Sequence, residues 1–238
     1  MGGGDDRLPA RKSTADEVEA FLRKVASTPA VKAPGRQGRL MFVIDATASR
    51  EPTWDMACQI QAEMFSATSA LGGLAVQLVF YRGFGEMKAS GWLASAEALV
   101  RRMTQVRCLA GRTQIRKVLR HAIRETEAQK VDAVVFVGDV VEEEVDALGD
   151  LAGRLGLLGT PVFVFQEGGE PVSRNVFQQI ARLSGGAYSG FDAGSAAQLK
   201  ALLAAVAVYS AGGRTALEDY GRKAGETVLR LTHQLGRR

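Results

Sequence analysis

Short runs that are apolar throughout alternate along this chain with longer stretches carrying apolar residues every three or four positions. Leu40–Ile44 is one such run and stops at Asp45; Ala133–Val137 is another, followed by Gly138 and Asp139. Runs of this kind, without in-out alternation, suit strands buried on both faces. Leu74–Tyr81 and Val162–Phe165 read as further strands, Met87–Leu93 as a short edge strand and Ala187–Phe191 as a last one. Helical spacing predicts helices over about Thr53–Ala70, Ala94–Thr104 and Thr113–Gln129, another from beyond Asp139 to about Leu155, and one over Val176–Leu183. From Ser195 the composition is helical, with an interruption at Gly212-Gly213, and Thr215–Leu235 reads as an added helix. Near the start, Thr14 and Glu17 make a capping box for a helix whose apolar stripe is Val18, Phe21, Leu22 and Val25. Pro29 and Pro34 end it.

Strands alternating with helices predict βαβ units and a mostly parallel sheet. Right-handed crossovers put helices on both faces. The expected fold class is therefore α/β: a Rossmann-like three-layer sandwich with added N- and C-terminal helices. The expected organisation is a disordered segment over 1–12, rich in Gly and charge, a helix and linker over 13–38, the α/β domain over 39–207 and a helical extension over 208–238.

Composition narrows this picture little. A chain of 238 residues, 46% apolar and 24% charged, suits one soluble domain of α/β size. It has no apolar run of about 18 residues, so no membrane-spanning helix is expected. MGGGDDRLPARK has no apolar stretch behind its basic residues and does not read as a secretory signal. Asp6 stands where a myristoylation motif wants Ser or Thr. The net charge of +4 comes largely from the ends, at Arg7, Arg11, Lys12, Arg237 and Arg238. No Lys/Arg cluster alternates with aromatics, so no specific nucleic-acid partner is expected. Cys58 and Cys108 form no CxxC pair, and two cysteines make no disulfide framework; a cytoplasmic location is the expectation.

The chemistry lies where the two buried strands end. Ligands of an open parallel sheet bind outside the carboxyl ends of its strands. If the strands ending at Asp45 and Asp139 are neighbours, two carboxylates converge there and repel unless a cation lies between them. Thr47 and Ser49 follow Asp45 at alternate positions, where side chains in a turn can point the same way. Hydroxyl and carboxylate oxygens suit Mg2+ rather than a soft metal, with Mn2+ or Ca2+ as alternatives. His121 and His233 are the only histidines and read as structural or surface residues. The plainer alternative is that Asp45 and Asp139 cap the helices that follow.

DATAS, at Asp45–Ser49, resembles the Asp-x-Ser-x-Ser motif of von Willebrand factor A (vWA) domains, and the chain is similar to vWA proteins of the bacterial cytoplasmic type. In that family the motif forms the metal-ion-dependent adhesion site, or MIDAS. A later threonine in a Gly-containing loop matches Thr113 in AGRTQI, and a later strand-end aspartate matches Asp139 in FVGDVVEEE. The resemblance covers about Arg39 to Ala207. It departs at Thr47, where serine is commoner, and at Val140, where Gly is frequent; neither change removes an oxygen ligand.

The resemblance implies a metal held by Asp45, Thr47, Ser49, Thr113 and Asp139, with hydroxyls bound directly and one or both aspartates acting through water. Such a metal keeps an open position for an Asp or Glu of a partner protein. The implied role is a binding module, not an enzyme. Two other roles stay open: a metal-dependent hydrolase or phosphoryl-transfer enzyme, and a structural subunit acting through its terminal helices. An enzyme would need a base or nucleophile beside the metal, and there is no G-x-x-x-x-G-K-[ST] loop for a nucleotide. Arg50, Glu51, Trp54 and Arg112 are candidate rim residues. Trp54 is either an exposed anchor or packed on the sheet, and Arg112 is either a carboxylate fork or a solvated loop residue. Glu142, Glu143 and Glu144 read as first-turn acids of the next helix.

Overall fold

The computed structural model describes residues 37–68, 73–191 and 199–213, with single positions at 20, 197, 216 and 220. The helix expected from Thr14 and the one expected over Thr215–Leu235 lie outside these residues apart from Ala20, Ala216 and Tyr220, all helical.

Six strands form one sheet: β1 (Gly38–Asp45), β2 (Leu74–Arg82), β3 (Glu86–Leu93), β4 (Ala133–Gly138), β5 (Val162–Glu167) and β6 (Tyr188–Phe191), in the order β3-β2-β1-β4-β5-β6. All neighbours are parallel except β2 and β3, which form an antiparallel hairpin across Gly83–Gly85. β1 and β4 are neighbours, with Ile44 opposite Val137. Asp45 and Asp139 therefore leave the sheet side by side at the same edge, as the two apolar runs predicted.

The helices are α1 (Glu51–Ile60), α2 (Ala62–Thr68), α3 (Ala96–Met103), α4 (Ile115–Ala128), α5 (Val145–Leu157) and α6 (Pro171–Ser184). Residues 199–213 form a seventh, α7. Alternation along the central strands divides the core into two layers. Leu40, Phe42 and Ile44 pack with residues of α1, α2, α3 and α7 on one face. Met41 and Val43 pack with α4, α5 and α6 on the other. This is the expected three-layer sandwich.

Several boundaries differ from the sequence expectation. The helix expected over Thr53–Ala70 starts earlier and breaks at Gln61 into α1 and α2. Pro52 sits in the first turn of α1, where its missing N–H costs nothing. Pro171 likewise opens α6, five residues before the expected start at Val176. The domain boundary expected at 207/208 falls inside α7. Every position from Leu202 to Ala211 is buried there, as a helix apolar on all sides requires. Its contact with β1 is backbone to backbone: a Cβ on Gly38 would lie 2.5 Å from the Ser210 carbonyl oxygen. Only glycine lets the start of β1 approach this helix so closely.

The start of α6 is held by Glu170, whose carboxylate accepts from the amides of Val172 and Ser173. The Ser173 side chain together with these two amides holds its pKa below the ordinary 4.5. A depressed carboxylate stabilises the fold above its unfolded pKa and loses that contribution as pH falls. Glu170→Ala is expected to cost about 1 kcal/mol at most at pH 7. The difference from wild type should shrink as pH drops below 4.5, read from urea midpoints at neutral and acid pH.

Candidate metal centre

Asp45 ends β1 and is 1% exposed. One carboxylate oxygen, Oδ1, accepts from the Thr47 amide at 2.7 Å. The other, Oδ2, accepts from the Tyr81 hydroxyl at 3.1 Å. Tyr81 is opposite Asp45 in the β1–β2 register. Burial raises the Asp45 pKa above its ordinary value and the Asp139 charge adds to this, while hydrogen bonds from Thr47 (amide and side chain) and Tyr81 oppose it. Burial also raises the Tyr81 pKa well above 10, reinforced by Asp45. A buried carboxylate pushed upward by burial and by a second carboxylate gains from a nearby cation.

The chain then turns through a 3-10 segment, Ala48–Arg50, which opens with Thr47 and leads directly into α1. This turn carries Ser49 back over the neighbouring strand, where its hydroxyl lies 3.4 Å from Asp139 Oδ2. Asp139 Oδ1 accepts from the Val140 amide at 2.8 Å. The main-chain carbonyl of Asp139 accepts from Gln166 Nε2 at 3.0 Å, and Gln166 is itself held by the Tyr188 hydroxyl at 2.7 Å. The helix-capping alternative does not describe these contacts. The residue preceding α1 is Arg50 and the one preceding α5 is Glu144, so neither aspartate occupies a cap.

Thr113 stands on the loop between α3 and α4. That loop lies over the site because the Leu109 amide donates to the Ala46 carbonyl at 3.0 Å and the Arg112 amide to the Gly83 carbonyl at 3.0 Å. Gly111 permits the approach, since a Cβ there would fall 2.0 Å from the Gly83 oxygen. Thr113 meets the Asp139 loop through Glu142, in a reciprocal pair. The Thr113 amide donates to Glu142 Oε2 at 3.0 Å, and the Glu142 amide donates to the Thr113 hydroxyl at 3.3 Å. The structure thus gathers Asp45, Thr47, Ser49 and Asp139 directly and joins Thr113 to them through Glu142.

Of the acids after Asp139, Glu144 stands directly before α5 as expected, while Glu142 and Glu143 reach across to the Thr113 loop and the helix that follows it. Glu143 accepts from the Ile115 and Arg116 amides, so it caps α4 rather than α5. The dipole argument holds, with the carboxylates reaching across to the helix beside them.

Two candidate rim residues are interior, and for Trp54 this is the packed one of its two alternatives. Trp54 is 3% exposed, donates to the Met103 carbonyl at 3.1 Å and meets Phe80 edge-on at 5.8 Å. Arg50 is 4% exposed. Its guanidinium pairs with Glu167, donates to the Thr53 hydroxyl at 2.7 Å and lies 3.7 Å from Asp139 Oδ2. The Thr53 hydroxyl also donates to Glu167. Burial lowers the Arg50 pKa, and the charges of Asp139 and Asp45 oppose that shift. Glu51 and Arg112 are exposed, as a rim position requires. His121 is half-buried against Gln77, 3.0 Å away, in keeping with a structural role.

The donor set fits a hard cation: two carboxylates and hydroxyls, without a soft ligand among them. Among the described residues no group of three His, Cys, Asp or Glu could hold a metal by itself. Any site here depends on its hydroxyls.

No protein-family model and no curated protein matches the chain, yet its fold recurs in solved structures. It aligns over 75% of its length with 98% of the SpRpn10 VWA domain, at a TM-score of 0.54 and 11% identity. It aligns over 68% with 95% of an aerotolerance-related membrane protein from Bacteroides fragilis, at 0.51 and 16%. Proximal thread matrix protein 1 from the mussel byssus, solved with a zinc-occupied MIDAS motif, aligns at 0.58 and 12% over 72% of this chain and 46% of its own. These identities establish likeness of fold: the chain has the architecture of VWA domains. No helix among the described residues is long and apolar enough to cross a membrane.

Proposed function

We propose that this protein is a metal-dependent interaction module. A divalent cation, Mg2+ in the first instance, is held by Asp45, Thr47, Ser49, Thr113 and Asp139 and accepts an Asp or Glu from a partner protein. The observation that carries this reading is the meeting of Ser49 with Asp139, 3.4 Å apart across adjacent strand ends, beside a buried Asp45. Mg2+ keeps several waters in protein sites, so exchanging one for a carboxylate is feasible. The zinc-occupied MIDAS of the byssus protein and the presence of a pilus adhesin among the fold's neighbours support the same reading.

A binding module fits better than an enzyme because the nearby acids are already engaged. Glu142 and Glu143 hold the Thr113 loop and the start of α4, and Glu167 is paired with Arg50. What surrounds the centre is a contact surface. Phe84, 85% exposed in the β2–β3 turn, and Leu109, 46% exposed above Ala46, put apolar area beside it. Sequence reading did not single out either residue. A partner's carboxylate flanked by apolar side chains fits this rim.

Calorimetric titration of the full chain with Mg2+ and Mn2+ tests the reading. Wild type is expected to bind one ion, and Asp45→Ala to bind at least about 100-fold more weakly, the upper range for losing a group that supports a metal site. Equal binding by both proteins would sink the assignment.

A further inference from the structure

Arg50 follows directly on the last residue of the DATAS motif, yet it points inward and is nearly sealed from solvent. The 3-10 turn brings Ser49 and Arg50 to the same acceptor. Asp139 Oδ2 lies 3.4 Å from the Ser49 hydroxyl and 3.7 Å from Arg50 Nη1. The other guanidinium nitrogen, Nη2, is drawn the opposite way, onto Glu167 and the Thr53 hydroxyl. Glu167 ends β5, the strand beside β4. Three neighbouring strands, β1, β4 and β5, thus end in or next to a carboxylate at this edge, and one buried guanidinium is shared between the last two, Asp139 after β4 and Glu167 at the end of β5.

Any cation taken up by Asp139 and Ser49 has this guanidinium as its nearest positive neighbour. Like charges in a poorly solvated setting interact far more strongly than on the surface, because little water screens them. The guanidinium cannot relieve the conflict by deprotonating. It can only shift between its two carboxylates.

We propose that Arg50 is an internal cation competing with the divalent metal for Asp139, and that Glu167 governs the competition by holding Arg50 back. The inference rests on the metal-site reading above and adds a determinant of its affinity. When Arg50 sits on Glu167, Asp139 is free to serve a metal. When it moves onto Asp139, the site is closed by the chain's own positive charge. Glu167 and Arg50 are therefore positioning residues: they act on the metal through Asp139.

The two partners should push metal affinity in opposite directions, which mere loss of packing would not do. Mn2+ affinity is measured by calorimetry on the full-length wild type, Glu167→Gln, Arg50→Met and the double variant Arg50→Met/Glu167→Gln. Removing Glu167 alone leaves Asp139 to hold Arg50, and Mn2+ binding is expected to weaken at least about fivefold. Removing Arg50 is expected to tighten it about tenfold or more. The double variant removes both charges, so that no Glu167 carboxylate is stranded without its partner, and carries the test should Arg50→Met not fold; it too should bind more tightly than wild type. Four proteins binding Mn2+ equally, or an Arg50 variant binding more weakly, would overturn the role of Arg50 and leave the metal site standing. No Mn2+ binding by any of the four would overturn both.

Discussion

Tyr209→Ala is expected to remove about 3–5 kcal/mol of stability, the range for deleting a buried aromatic ring. Tyr209 lies on α7, is 2% exposed and meets Phe163 of β5 edge-on at 5.7 Å. Phe163 is fully buried in the same layer, so the vacated space has no side chain free to fill it. Domains of this kind have about 5–15 kcal/mol in total, and the loss would lower the melting temperature by on the order of 10 °C. Tyr209→Phe keeps the ring and should keep most of the stability. A thermal melt of the three proteins checks this. A shift under about 2 °C for the alanine variant would mean that α7 is an appendage, as the sequence expectation of an extension from residue 208 had it. The close seat of Gly38 against Ser210 points the other way, because it ties α7 to β1, the strand that ends in Asp45.

That misplaced boundary shows what apolar patterning can and cannot give. Central strands are legible because a run such as Leu40–Ile44, with no polar alternation, has few alternatives to burial on both faces. Asp45 and Asp139 follow from the same logic. The boundary inside α7 does not show in helical composition alone, because an Ala- and Leu-rich stretch predicts a helix whether or not that helix is apolar all round. Ten successive buried positions leave no face for solvent, which marks a core helix. The start of α6 was signalled by Pro171 and that of the β2–β3 hairpin by Gly83-Phe84-Gly85 between two strand runs, both ordinary local signals.

The buried part of the site was harder to read. A charged residue beside a motif is expected in water, which puts Arg50 among the rim candidates. Its inward path depends on the 3-10 turn and on a counter-charge from a strand more than a hundred residues away. The clue was nevertheless present. Val162–Phe165 is a third apolar run with an acid close behind, at Glu167, and a third carboxylate at the same edge calls for more positive charge than one shared metal supplies. Tyr81 could be placed only once the β1–β2 register put it opposite Asp45.

The same pair leads to the second large effect, on stability in the absence of metal. Arg50→Ala is expected to cost about 3 kcal/mol or more. The Arg50 side chain is 5% exposed and that of Glu167 15%. Removing one partner of such a pair strands the other's charge in a site that solvates it poorly, and that penalty, rather than the lost attraction, dominates. Replacing both partners by neutral side chains of similar volume avoids it. Arg50→Met/Glu167→Gln should therefore recover most of the loss, although it too lacks the ion pair. Arg154–Glu127 provides the contrast within the same molecule. Its side chains are 57% and 44% exposed, and Arg154→Ala should cost under about 1 kcal/mol. Urea denaturation of the variants at low and high salt separates the two cases. The exposed pair's small contribution should fade as salt rises, while the Arg50→Ala deficit should hardly change, because a buried charge is beyond the reach of the ionic atmosphere. A deficit for Arg50→Ala as small as that for Arg154→Ala would mean that Glu167 reaches water once its partner is gone, and the edge of the sheet would be more open than its burial indicates.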